Sequence, residues 1–153
     1  MFKYLELKFP PLLLMLAVAL IMFLSRHSTS FIFIIPFKHV IFLIGLLVGS
    51  ALVLGGAWYF RQANTTVNPV KPQTTSTIVT HGVYQLSRNP MYLGFLVMLI
   101  GWAIYLEQAI NIAWILFFYM YMNRLQIIPE EILLSQYFGN EYNDYKKRVR
   151  RWL

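Results

Sequence analysis

The sequence predicts an all-α integral membrane protein with about four transmembrane helices, built as a single membrane domain over residues 1–153. Three observations carry this. Hydrophobic residues make up 58% of the chain and charged residues 12%, against about 45–50% and about 25% in a soluble globule. Apolar runs close to the length of a bilayer crossing recur four times. The basic residues then fall almost entirely on one side of the resulting topology, as cytoplasmic flanks of membrane spans do. Mean hydropathy is +0.56, which excludes a disordered chain. The net charge of +7 is explained by span flanks and lipid contact, so no nucleic-acid partner is expected. Cysteine is absent, which removes disulfides, thiolate nucleophiles and Cys-based metal sites.

The first run is Phe9 to Leu24. It opens with Pro10 and Pro11, tolerated at a helix start because the first N–H groups have no intrahelical partner. Its length also suits a signal peptide, but polar and basic Ser25-Arg26-His27 follows where a small-residue cleavage site would stand. Phe31 to Phe37 is too short to span and is broken by Pro36. It is expected at the interface, as a re-entrant piece, or as an oblique start of the next helix. The clearest span is His39 to Phe60. It carries Gly45-x-x-x-Gly49 and Ala51-x-x-x-Gly55, which are either a close-packing face or the glycine background of membrane helices.

Arg61 to Thr80 is a polar loop with Pro69 and Pro72. Its Asn64-Thr65-Thr66 fits a glycosylation pattern, discounted because the loop is predicted cytoplasmic. The cytoplasmic connection as a whole runs over 61–89. Pro90 to Leu106 is the third span, and Glu107-Gln108 is a turn too tight to cross a bilayer. The fourth span, from Ala109, therefore returns as a hairpin and runs on to Ile128. Residues 129–153 form a covering segment. It begins with a helical pattern from Pro129 to Phe138, with Gly139 as its C-cap. A basic amphipathic stretch follows, with Tyr142, Tyr145, Val149 and Trp152 on one face, suited to anionic lipid headgroups.

Eleven Lys/Arg (Lys3, Lys8, Arg61, Lys71, Arg88, Arg124, Lys146, Lys147, Arg148, Arg150 and Arg151) fall on the side shared by both termini and the 61–89 loop, against Arg26 and Lys38 on the other. Both termini are thus expected in the cytoplasm. Trp58-Tyr59 and Trp102 with Tyr105 fit an aromatic belt. The span centres carry no ionisable group, and Asn111 reads as interhelical glue.

Polar residues gather instead at the cytoplasmic ends of the hairpin, in His81-Gly82-Val83-Tyr84-Gln85-Leu86-Ser87-Arg88-Asn89-Pro90-Met91-Tyr92 and in Asn123-Arg124 followed by Pro129-Glu130-Glu131. Each has an ordinary reading. Asn89-Pro90 is an N-cap with Pro at the first helical position. Glu130-Glu131 complements a helix N-terminus. Arg124 can snorkel. Those readings do not explain why so many such residues meet at one end of one hairpin.

Together the two clusters resemble a known signature. Arg88-Asn89-Pro90-Met91-Tyr92, an apolar hairpin and then Glu130-Glu131 looks like the RHPxY–hydrophobic–EE pattern of the isoprenylcysteine carboxyl methyltransferases and phospholipid N-methyltransferases. The resemblance extends to Gly82-Val83-Tyr84, Phe138-Gly139-x-x-Tyr142-x-x-Tyr145 and Val149-Arg150-Arg151-Trp152, over about residues 80–153. The chain departs from it at Asn89, where the family has His. Asn does not titrate near neutral pH, so a hydrogen-bonding role survives there and an imidazolium role does not.

The resemblance implies an S-adenosylmethionine-dependent methyltransferase of the small bacterial type, in the inner membrane, acting on a lipophilic acceptor with the cofactor on the cytoplasmic side. A Rossmann cofactor site has no scaffold here, since no strand leads through a Gly-rich turn into a helix. The cofactor's carboxylate suits Arg88 and the N–H groups at Asn89 and beyond. Its ribose diol and amino group suit Glu130 and Glu131, and its sulfonium suits Tyr84 or Tyr92. His81, Gly82 and Val83 suit backbone contacts near the adenine. Arg124, facing an anionic acceptor group, and Glu131 are the expected catalytic pair. The acceptor atom is left open among carboxylate, amine and thiol, and a carboxylate needs no general base. The competing readings are a small carrier, which lacks a carboxylate within a span, a non-catalytic membrane scaffold, and a reductase sharing the C-terminal helical core.

Overall fold

The computed structural model describes residues 7, 9–25, 33–63 and 77–153, and the regular structure among them is helical. Lys3, Lys8, Arg26, Lys71, the Asn64 glycosylation pattern and Phe31-Ile32 lie outside the described residues. Five α-helices follow one another: α1 (Pro11–Leu24), α2 (Lys38–Gln62), α3 (Pro90–Leu106), α4 (Ile110–Tyr121) and α5 (Ile128–Arg148). A 3-10 turn, Gly82–Gln85, precedes α3, and a π-helical turn, Met122–Ile127, joins α4 to α5. Only α2 is both long and apolar enough, among the described helices, to cross a membrane; α1 and α3 are shorter apolar helices.

The core lies between α1, α3 and α4. Leu14, Val18 and Met22 of α1 meet Phe95 and Leu99 of α3, Phe118 of α4, and Met122 and Ile127 of the π-turn. Trp102 reaches from α3 to α1, its indole N–H donating to the Ala19 carbonyl at 3.1 Å, and its ring stacks on Tyr105. Trp102, expected in an aromatic belt, also joins two helices. Asn111 departs from expectation. It is fully buried on α4, but neither side-chain polar atom has a partner, so it glues no helix pair here.

Helix α2 packs outside this core, along α3. Its buried residues are Gly49 and Gly56, and the rest of its surface is largely exposed leucine, valine and isoleucine. The approach of the two backbones requires glycine. A Cβ on Gly49 would sit 2.6 Å from the Gly94 carbonyl oxygen, and one on Gly94 would sit 2.6 Å from that of Gly49. Gly45-x-x-x-Gly49 is therefore a packing face. Ala51 is exposed, and Gly55 faces Val83 of the 3-10 turn, so the second small-residue pair does not extend that face.

Residues Phe33 to Ile35 lie outside any helix and bond to the α3–α4 turn. The Phe33 N–H donates to the Glu107 carbonyl at 2.9 Å, and the Ile35 N–H donates to Glu107 Oε1 at 2.9 Å. Lys38 Nζ closes on Glu107 Oε2 at 2.6 Å. Lys38 and its neighbouring backbone donor hold the Glu107 carboxyl below its ordinary value.

The fourth run is one continuous helical path from Ile110 through the π-turn into α5, and Pro129 does not break it. Proline has no N–H to give the carbonyl four residues back, and its ring crowds that carbonyl. The carbonyl in question is that of Leu125, and Leu7 N–H takes it at 3.1 Å. A π-turn immediately before Pro129 is a recognised way for a helix to absorb such a residue. Gly139 lies at φ 54°, ψ −122°, outside helical geometry, so the helix that starts at Ile128 ends there as expected and a second helical stretch follows to Arg148. The predicted amphipathic face is also interrupted. The helix stops at Arg148, Val149 is extended, and Tyr142 and Tyr145 are buried while Trp152 returns to α4.

Candidate functional site

The site lies where the segment 81–92, the π-turn, the start of α5 and the C-terminal segment meet. The loop before α3 is built on α2. Gly82 has φ 64°, and a Cβ there would lie 2.0 Å from the Tyr59 ring, so both backbone conformation and space require glycine. His81 is exposed and meets the same tyrosine edge-on at 5.3 Å, while Val83 packs at Gly55. Tyr84 is buried, edge-on to Phe60, with its hydroxyl near Gly56. Burial raises its pKa, with Tyr145 and Glu130 adding to the effect.

From Ser87 onward the loop turns to the C-terminal segment. The Ser87 hydroxyl donates to the Arg151 carbonyl at 3.1 Å, and Asn89 Nδ2 donates to the same oxygen at 3.0 Å. The Arg88 N–H donates to the Arg150 carbonyl at 3.0 Å. Tyr145 donates from its hydroxyl to the Tyr84 carbonyl at 2.6 Å, and Trp152 Nε1 donates to Asn123 Oδ1 at 3.1 Å. Asn89 stands at the N-cap position of α3, but its side chain makes no cap. The residue at the family's His position therefore acts as a tether for the chain's C-terminal end.

Arg88 and Glu131, 43 residues apart, form the ionic centre. Arg88 Nη2 donates to Glu131 Oε1 at 2.6 Å. Arg88 Nη1 donates to the carbonyls of Lys146 at 3.1 Å and Val149 at 2.8 Å. Arg151 grips the same carboxylate from the other side, with Nη2 2.6 Å from Oε2 and Nε 3.2 Å from Oε1. Burial alone would raise the pKa of Glu131, but the hydrogen bonds and charges of Arg151 and Arg88 outweigh it and hold it below its ordinary value. The guanidinium on the far side of this ion cluster, Arg151, was read from sequence as part of a basic tail and of the Val149-Arg150-Arg151-Trp152 resemblance, without a site role.

Glu130 has a different environment. The Tyr92 hydroxyl donates to Oε1 at 2.6 Å, and Gln126 Nε2 donates to the same oxygen at 2.8 Å. Oε2 accepts no hydrogen bond from the described residues. Burial pushes this carboxyl up to about 7, with Tyr92 and Gln126 pulling the other way and Glu131 adding to the rise. Gln126 is buried and was not singled out in the sequence; an amide on the inner face of a span end was its one signal.

The sequence-predicted residues thus separate into three groups. Arg88, Asn89 and Glu131 are joined through the C-terminal segment, and Tyr92 with Glu130 form a second pair. His81, Gly82, Val83 and Tyr84 pack chiefly on α2 or against Tyr145. Arg124 is exposed on the π-turn and forms no hydrogen bond or ion pair among the described residues. Beside Glu131 lies an open cavity of about 340 Å³, lined by Ile128, Glu131, Ile132, Ser135, Gln136 and Lys146. No group of acidic, His or Cys residues suited to a metal ion occurs among the described residues.

Comparison with known proteins identifies a family. The sequence profile of the phospholipid methyltransferase family matches residues 37–141. An uncharacterized protein of Haemophilus influenzae is 40% identical over 63 residues, which is its whole length and 41% of this chain. A probable protein-S-isoprenylcysteine O-methyltransferase of Oryza sativa is 36% identical over 77 residues, 50% of this chain and 40% of that protein. The protein-S-isoprenylcysteine O-methyltransferase of Mus musculus is 41% identical over 76 residues, 49% of this chain and 26% of that protein. The matched region is therefore less than half of the rice and mouse proteins. No solved structure matches the chain. With its profile match spanning α2 to α5 and covering more than half of its length, the chain belongs to the phospholipid methyltransferase family.

Proposed function

We propose that this protein is an integral membrane S-adenosylmethionine-dependent methyltransferase that methylates a lipophilic acceptor at the cytoplasmic face of the membrane. The observation that carries the reading is the convergence of the two halves of the signature: Arg88 on Glu131, and Tyr92 on Glu130, across an apolar hairpin. The residues present suit the cofactor. Glu130 Oε2 is an open carboxylate oxygen, able to accept from a ribose hydroxyl or an amino group. The cavity beside Glu131 offers both apolar and polar walls. Further support comes from α2, whose apolar and largely exposed surface suits lipid. Leu7, just before α1, bonds to Leu125 of the π-turn, and Arg88, just before α3, bonds to Arg150; these contacts between described residues support an even number of spans.

When bound, the cofactor supplies an electrophilic methyl group on a sulfonium. The chain's own residues act by binding and orienting. Glu130, set by Tyr92 and Gln126, presents a fixed acceptor. Glu131 is a positioning residue that holds Arg88 and Arg151, and through them the C-terminal segment, over the ends of α3 and α4. Arg124, free of partners, is the group for an anionic end of an acceptor arriving from the bilayer. The test is transfer of labelled methyl from S-adenosylmethionine into a total lipid and small-molecule extract by the purified protein. A labelled lipophilic product is expected, and it is expected to disappear with Glu130→Gln. Proton-driven flux of a solute without S-adenosylhomocysteine binding would point to a carrier instead.

A further inference from the structure

We propose that Lys146, held by Ser135 and Tyr142 at the cavity beside Glu131, is the anchor for the carboxylate at the amino-acid end of S-adenosylmethionine. This rests on the methyltransferase reading and deepens it. Arg88 is the obvious anion receptor by sequence, but both of its terminal nitrogens are engaged. Nη2 is held by Glu131 and Nη1 by two carbonyls of the C-terminal segment, while Nε is buried without a partner. A carboxylate could reach Arg88 only by dismantling the contacts that fix residues 146–151. Arg151 is likewise closed on Glu131 through two nitrogens, and Lys147 pairs with Asp144 on the outer surface.

Lys146 lines the cavity and pairs with no carboxylate. Its ammonium donates to Ser135 Oγ at 3.0 Å and lies 5.2 Å from the centre of the Tyr142 ring. The Ser135 hydroxyl proton is directed to the Glu131 carbonyl at 2.7 Å, so the Ser135 lone pair faces the lysine. An ammonium has three donors, so two remain available for a ligand. The side chain is already ordered, which lowers the entropy lost on binding.

The local charge favours an anion. The cavity is lined by one ammonium, Lys146, and one carboxylate, Glu131, and that carboxylate is already matched by Arg88 and Arg151, so the Lys146 charge is left without a partner anion. Ile128 and Ile132 form the apolar wall of the cavity.

The experiment compares two ligands on the detergent-solubilised full chain. S-adenosylhomocysteine carries the amino-acid end, and 5′-methylthioadenosine lacks it. Lys146→Gln is expected to weaken S-adenosylhomocysteine binding by about tenfold or more, the range for a hydrogen bond to a charged group. It should leave 5′-methylthioadenosine binding unchanged, and Lys146→Arg should restore most of the loss. Equal S-adenosylhomocysteine affinity in the parent and Lys146→Gln overturns the anchor while leaving the methyltransferase reading in place. Equal losses for both ligands also overturn it, because they mark a structural effect. A change confined to the KM of a lipid acceptor assigns Lys146 to that acceptor and overturns it as well. Absence of any S-adenosylhomocysteine binding by the parent protein overturns both readings.

Discussion

Glu130 and Glu131 are neighbours in sequence and opposites in environment. Glu131 is closed: two guanidinium groups hold both of its oxygens, and its pKa is lowered. Glu130 is open on one side: two neutral donors share Oε1, Oε2 is free, and burial raises its pKa to about 7. Successive residues on a helix point about 100° apart, so one carboxylate meets the C-terminal segment and the other meets α3. An acid pair that looks like one feature is therefore two devices. One fixes the chain's C-terminal end, and the other is left for a ligand.

The largest effect that could break this contrast is on stability. Glu131→Gln leaves Arg88 and Arg151 facing a neutral amide, and loss of one partner from a buried ion pair costs about 3–5 kcal/mol. The Glu131 side chain is 12% exposed but that of Arg151 is 36%, so the lower end of that range is expected. The check is the thermal midpoint in detergent, which should fall far more for Glu131→Gln than for Glu130→Gln. Equal falls would make the two acids equivalent.

Next in size is the pH dependence. The folded Glu130 keeps its proton up to about 7, whereas the unfolded chain releases it near the ordinary value of 4.5. The folded state thus binds more protons in that window, and stability falls as pH rises from about 4.5 to about 7, then levels. Glu131 acts in the opposite sense. Its pKa is lowered, so its contribution is present above 4.5 and is lost as pH falls below that value. Midpoints measured from about pH 2 to about pH 8 should show both limbs, and Glu130→Gln should flatten the upper one alone.

The smallest effect is that of Tyr92→Phe. It removes one of the two donors to Glu130 and should cost about 1 kcal/mol. Because that hydrogen bond lowers the Glu130 pKa, the upper limb should also extend to higher pH. An unchanged limb would mean that Tyr92 does not set the carboxyl.

Much of the architecture was legible in the chain. Pro90 to Leu106 is an uninterrupted apolar run between a proline and a turn, and it is α3 to the residue. Glu107 takes the left-handed conformation at that turn, as the tight Glu107-Gln108 connection requires. The pairing of the two signature halves was legible too, because a hairpin returns its ends to the same side. Gly139 was legible as well: its positive φ ends the helix that precedes it. Less could be read at Pro129, which ordinarily ends a helix. A π-turn with a carbonyl taken by Leu7 absorbs it, and that solution is not local in sequence.

What the sequence determined by itself is what depends on solvent and on near neighbours: apolar runs, their punctuation, the membrane class and the family signature. Hydrophobic burial and helix-end chemistry act over a few residues, so composition and spacing express them directly. What only the tertiary structure decided is which of the clustered polar groups are engaged and which are open. Arg88, Asn89 and Glu131 are engaged by residues 146–151 of the same chain. Glu130 Oε2 and the Lys146 ammonium are left with capacity. A hydrogen bond is satisfied by whatever the fold brings within about 3 Å, and that distance is set by chain segments tens of residues away.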